Sequence, residues 1–146
     1  MKLSTKGRYG ARAVLELALR YGSGPVMVRE IAESQEISER YLEHILNALR
    51  ASGLVRSTRG AHGGYELTKP PSDITLGDVV RSLEGPLDIV SCTRDEDCGR
   101  AAVCVTIGVW RDVREAIENV LDAVTLEELA ARYRRIRTRV PHDYAI

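Results

Sequence analysis

The sequence predicts a mainly α-helical chain built as a winged helix-turn-helix, with a two-stranded wing and a long C-terminal helix. Three observations predict it. Two short amphipathic segments meet at a tight connection, Gln35-Glu36-Ile37-Ser38, which ends on a good helix N-cap. An alternating run, a glycine-rich turn and a second alternating run follow at once. Beyond a cysteine-bearing stretch, apolar residues recur at helical spacing from Trp110 to Val124.

Residues 5–21 form the first predicted helix, with Tyr9, Ala13, Leu15, Leu17, Ala18 and Leu19 in a wide apolar stripe. Gly22-Ser-Gly-Pro25 breaks it. Val28 to Ser34 give a short second helix with Ile31 and Ala32 inward. Ser38 caps the third, with Ile37 and Leu42 placed as a hydrophobic staple. That helix runs to about Ala51 through Leu42, Ile45, Leu46 and Leu49, and Gly53 supplies a left-handed stop. Leu54 to Arg59 and Tyr65 to Thr68 alternate as strands around the Gly60–Gly64 turn. Pro70 and Pro71 close this unit. Thr75-Leu-Gly-Asp78 opens a helix through Leu83, ended by Gly85-Pro86. Residues 88–104 are polar and without periodicity, hence a loop. A long helix spans about 105–124, and Thr125-Leu-Glu-Glu128 reads as a capping box opening a short last helix. A helix this long outlasts what a small winged helix can cover, so it is expected to pack on its mate in a homodimer.

The formal charge of the whole chain is +0, which conceals an uneven distribution. Residues 1–70 carry eleven Lys/Arg against seven Asp/Glu, and residues 71–104 three against seven. Arg132, Arg134, Arg135, Arg137 and Arg139 then crowd together near the end. The division expected is therefore 1–70 as a DNA-binding unit, 71–104 as a short helix and cysteine-bearing sensor loop, and 105–146 as dimerisation helix, short helix and basic tail. The absence of a long uncharged apolar run and of a leader-like segment predicts a cytoplasmic protein with no membrane partner.

A recognition helix beginning at Ser38 brings Glu39, Arg40, Glu43 and His44 to base edges in a major groove. A carboxylate such as Glu43 accepts from a cytosine amino group and repels acceptor-rich purine edges, which narrows sequence choice. Arg56 and Arg59 on the wing reach phosphates or a narrow minor groove. Thr5, Lys6 and Arg8 at the first helix N-terminus are natural phosphate contacts. For any one of these residues, a solvated polar face is the competing explanation. The Gly60–Gly64 cluster lacks phosphate-loop spacing and precedes a strand, so it is a wing turn. Catalysis finds no support: His44, His62 and His142 are scattered, and no nucleophile–base pair or paired carboxylates appear.

Cys92, Cys98 and Cys104 stand in a C-x5-C-x5-C pattern, looser than the paired spacing of structural zinc. Thiolates able to converge suit an iron–sulfur cluster. Unrelated free thiols, or a switch that pairs two of the three, are the alternatives on spacing alone.

Met1 to Gly10, Ile37-Ser-Glu-Arg-Tyr41-Leu-Glu43, Gly53-Leu-Val-Arg56, Arg59-Gly-Ala-His62-Gly63-Gly-Tyr65 and the three cysteines together resemble the bacterial iron–sulfur cluster regulator (IscR) family, over residues 1–133. The resemblance implies a winged-helix homodimer on palindromic double-stranded DNA, with Glu43 and Arg59 at DNA-contact positions and Tyr41, His62 and Gly63 within the same motifs. It places Cys92, Cys98 and Cys104 at the ligand positions of a cluster, 2Fe–2S by resemblance with 4Fe–4S as the alternative. One departure stands out. The family's histidine ligand, three residues after the last cysteine, is here Ile107, and the acidic residue that nitric-oxide-sensing relatives use is here Arg8. The fourth bond is left to Asp95, Glu96, Asp97, a partner-subunit group or an exogenous ligand. A labile cluster is the expected consequence. Family relatives also include cluster-free repressors controlled by thiol oxidation or by a partner protein.

Overall fold

Helix α1 (Thr5–Leu19) starts where Ser4 caps it, the hydroxyl accepting from the Gly7 amide at 3.1 Å. It buries Ala13, Val14, Leu17 and Ala18, and Gly22 and Gly24 end its turn with positive φ. Helix α2 (Val28–Gln35) follows and stops at Glu36, whose φ of 54° is left-handed. Ser38 then caps α3 (Glu39–Ala51) through the Tyr41 amide. Ile37 and Leu42, the predicted staple pair, lie in one buried cluster with Ile45, Leu46 and Leu49. Gly53, at φ 81°, turns the chain into β1 (Val55–Thr58), which pairs antiparallel with β2 (Gly64–Leu67). The structure, a computed structural model, describes residues 2–94 and 98–139. Asp95, Glu96, Asp97 and His142 therefore lie outside the described residues.

A 3₁₀ turn at Pro71–Asp73 leads into α4 (Leu76–Glu84), opened by a reciprocal capping box between Thr75 and Asp78. The Asp78 side chain accepts from the Thr75 amide at 2.9 Å, and the Thr75 hydroxyl accepts from the Asp78 amide at 3.1 Å. Partial burial opposes the charged form of Asp78, but bonds from Thr75 and the nearby Arg81 outweigh it and lower the pKa. Because the folded pKa is depressed, this contribution is present above the ordinary carboxylate range and is lost as pH falls through the lower folded value. Thr75→Ala should cost about 0.5–2 kcal/mol of stability at neutral pH, read by urea denaturation, and less in strong acid. An unchanged midpoint at neutral pH would refute the capping role.

Two further 3₁₀ turns, Ser91–Thr93 and Ala101–Val103, lie within the stretch expected to be a plain loop. Each is too short to register as periodicity. Helix α5 (Ile107–Asp122) carries the long apolar stripe, and α6 (Leu126–Arg139) ends the described chain. The expectation of a short last helix is corrected: α6 has 14 residues, and its arginines are helical through Arg139. Thr125 accepts from the Glu128 amide at 3.1 Å, while the Glu128 carboxylate turns to Arg132 instead of closing the box.

One buried cluster unites these elements. It runs from Ala13 in α1 through the residues of α3, Val55 and Leu67 of the strands, and Ile74, Val79 and Leu83, to Leu126 of α6. The Leu126 amide donates to the Ile74 carbonyl at 2.9 Å, and Leu76 donates to Val124 at 2.8 Å, so α6 is sewn to the segment before α4. No helix among the described residues is long and apolar enough to cross a membrane.

Candidate nucleic-acid interface and cysteine segment

The helix-turn-helix is locked by a polar cluster that periodicity could not disclose. Glu16, 5% exposed, sits on the inner side of α1 and accepts from Ser34 and Gln35 of α2, each at 3.0 Å, and from Arg20 at 3.1 Å. A buried carboxylate is tolerable because it has these donors. Arg12 reaches the Gln35 side chain at 3.1 Å and its backbone carbonyl. Arg12 also lies over the Tyr9 ring, which meets Tyr41 edge-on at 6.0 Å between centroids. Tyr41 is thus half-buried and fixes α3 against α1. Ser38 likewise uses its hydroxyl as a cap.

With Leu42, Ile45, Leu46 and Leu49 buried, α3 turns Glu39, Arg40, Glu43 and His44 outward together. These four are the base-edge candidates, and the fold exposes all of them on one helix. The wing stands beside that helix. Arg50, at the end of α3, donates to the Ser57 hydroxyl of β1 at 3.1 Å, a tie missed in the sequence because it links different elements. Val26 and Tyr65 exchange backbone bonds at 2.8 Å each way, joining the wing to the connection before α2. That close approach requires Gly64, since a Cβ there would collide with the Val26 carbonyl. Gly63 is buried in the wing turn, where a Cβ would strike the Thr58 carbonyl. Arg59 and His62 are exposed at the tip. Arg56 differs: it pairs across the strands with Glu66 at 2.7 Å.

Two amides of the α1 N-terminus are already engaged within the chain. Glu84 accepts from the Ser4 amide at 3.3 Å and the Gly7 amide at 3.1 Å, so an internal carboxylate already fills the site. The Thr5 hydroxyl accepts from Arg8 at 3.2 Å. Arg8 also lines an open apolar groove of 580 Å³ together with Ala11, Val80, Val113, Ile117 and Val120. The stripe of α5 forms one wall of this groove; Val120 is 67% exposed in the chain.

The cysteine segment is organised around Asp88. This carboxylate accepts from the Thr93 hydroxyl at 3.3 Å, from Arg94 at 2.7 Å and from Arg114 of α5 at 3.2 Å. Burial pushes against its charge, yet bonds from the two arginines prevail and lower its pKa. Cys104 lies just before α5, where its sulfur is 3.4 Å from the Thr106 hydroxyl. That bond, with the Thr106 and Ile107 amides, lowers the thiol pKa. Thr106→Val should therefore slow alkylation of Cys104 by iodoacetamide at neutral pH and raise the midpoint of its rate–pH profile. An unchanged profile would remove the hydroxyl from the account.

Three thiols are chemically suitable for an iron–sulfur cluster. Among the described residues no three His, Cys, Asp or Glu side chains stand together as a metal site. Ile107 is the first residue of α5, and it is buried. As placed, the described residues do not bring the three thiols together around such a group.

The chain matches the Rrf2 family model, described as an iron-dependent transcriptional regulator, over residues 3–132. It is 45% identical over 131 residues to the HTH-type transcriptional regulator CymR of Bacillus subtilis, covering 90% of this chain and 91% of that protein. The solved structure of that global cysteine regulator superposes with a TM-score of 0.76, covering 90% of this chain and 98% of that one. T. potens IscR gives a TM-score of 0.78 at 41% identity, over 99% of this chain and 97% of that one. Staphylococcus aureus CymR in its oxidized form gives 0.71 at 39%, over 89% and 96%. A helix-turn-helix with an outward polar face, a glycine-tipped wing and the match across nine-tenths of the length lead to one assignment. The chain belongs to the Rrf2 family of winged-helix transcriptional regulators.

Proposed function

We propose that this protein binds a palindromic operator as a homodimer and regulates transcription through the chemistry of Cys92, Cys98 and Cys104. The observation that carries the DNA reading is the shared outward display of Glu39, Arg40, Glu43 and His44 beside the exposed tip residue Arg59. The unfilled apolar groove and the exposed stripe of α5 support pairing of two chains. Such pairing sets two recognition helices about one DNA turn apart, roughly 34–36 Å. Repression follows if the operator overlaps a promoter. Selection from randomised duplexes should return a two-fold symmetric sequence, and absence of any enrichment would overturn the reading.

For the input, the similarity to the cysteine regulator CymR, solved also in an oxidized form, supports reversible thiol chemistry without a metal. Two of the three thiols give up two hydrogens to a peroxide, forming a disulfide while the peroxide becomes two waters. The thiolate at Cys104 is the natural first nucleophile. A second reading, a cluster held by the three cysteines, is favoured by the iron-dependent description of the family. Iron and sulfide analysis of anaerobically purified protein, with its visible spectrum, separates the two. Stoichiometric iron and a thiolate-to-iron absorption band establish the cluster. Metal-free protein whose operator affinity falls with peroxide and returns with dithiothreitol establishes the thiol switch.

A further inference from the structure

Helix α5 is weakly held within its own chain. Of its residues only Ile107 is fully buried, although the helix has 16 residues. Polar contacts hold it at two places. Near the C-terminus, Arg81 of α4 grips Asp122 with both nitrogens, at 2.6 and 3.2 Å. In the N-terminal half, Arg114 donates to the Asp88 carboxylate and to the Thr93 carbonyl, each at 3.2 Å.

The second contact has an unusual address. Asp88 has a side chain only 4% exposed; of its remaining donors, Thr93 ends the 3₁₀ turn that contains Cys92 and Arg94 follows it directly. The turn, the buried carboxylate and α5 are thus one hydrogen-bonded unit. Any chemistry that unwinds the Cys92 turn withdraws the Thr93 carbonyl from Arg114 and pulls Arg94 and Thr93 off Asp88. Arg114 is the helix neighbour of Val113, which lines the groove, so its release loosens the helix that carries the proposed pairing surface. Its Nε is already buried without an acceptor among the described residues, so the closed arrangement is not saturated.

We propose that Asp88 and Arg114 form a latch coupling the Cys92 turn to α5, so that a change at the cysteines repositions α5 and resets the spacing of the paired winged helices. This rests on the reading of segment 88–106 as the input site. Asp88 and Arg114 are positioning residues; neither touches DNA.

Asp88→Asn preserves shape and removes the charge that holds both arginines. Arg114→Gln does the same from the α5 side, at a position 32% exposed and therefore safer for folding. Hydrogen exchange is measured on the reduced full-length protein. Both variants should show exchange accelerated about 5–150-fold across 107–122, the range of a typical coupling, with α3 unchanged. Operator affinity is then compared before and after hydrogen peroxide. The response of the wild type should shrink toward onefold in both variants. Unchanged exchange in α5, or a full response in Arg114→Gln, would overturn the latch. If Asp88→Asn also loses protection in α3, Arg114→Gln alone decides. A wild type insensitive to peroxide would remove the thiol reading, while the exchange data would still judge the latch.

Discussion

Raising salt from about 50 to about 200 mM should lower operator affinity about a thousandfold. Of the candidate DNA contacts, Lys6, Arg40 and Arg59 of each protomer are the basic groups without an ion-pair partner among the described residues or a place on the groove, and in a dimer they neutralise about six phosphates at roughly −0.9 each in log–log slope. Arg56 is left out because its guanidinium is engaged by Glu66, and Arg8 because it borders the α5 groove. Arg59→Ala should cost about 1–3 kcal/mol and reduce the slope, whereas Arg56→Ala should cost far less. Fluorescence anisotropy across a salt series measures both. A flat salt dependence would contradict the assignment of these cations, and equal losses at Arg56 and Arg59 would contradict the reading of the cross-strand pair.

Leu126→Ala should destabilise the chain by about 2–5 kcal/mol. Leu126 is 0% exposed and joins the same cluster as Leu46 and Ile74, although it lies beyond the long helix in sequence. Removing its side chain leaves a cavity where α6, α1 and the segment before α4 meet. The urea midpoint should fall while the slope of the transition stays fixed, since the surface exposed on unfolding barely changes. A loss below about 0.5 kcal/mol, the scale of a surface substitution, would mean that α6 is only appended. For Ile136, 63% exposed on the distal half of α6, that small effect is what truncation to Ala should give.

The winged helix was legible because its signals are local. Ser38 as a cap, Gly53 as a left-handed stop and the spacing of Leu42, Ile45, Leu46 and Leu49 each act within one or two turns. The same holds for Thr75 with Asp78. The outward set on α3 follows from burial of the opposite face, so those candidates could be named from periodicity alone. The stripe of α5 was equally plain, since a repeat shows itself whether or not its own chain covers it.

Contacts between distant segments carry no such signature, and the tertiary structure decided them. Only folding brings Glu84 to the α1 N-terminus, where it accepts from the Ser4 and Gly7 amides. Only the register of the hairpin sets Arg56 opposite Glu66 and gives this exposed candidate DNA contact a partner within the chain. Glu16 reads as an ordinary surface charge on an amphipathic helix until Ser34 and Gln35 close over it. Asp88 reads as part of an acidic loop until Arg114 arrives from 26 residues away. By itself the sequence determined which segments become helix, turn and strand, because caps, periodicity and glycine act over a few residues. Which polar side chains remain free for DNA, and which become structural, was decided by the fold, because a charge is satisfied by whatever partner packing delivers to it.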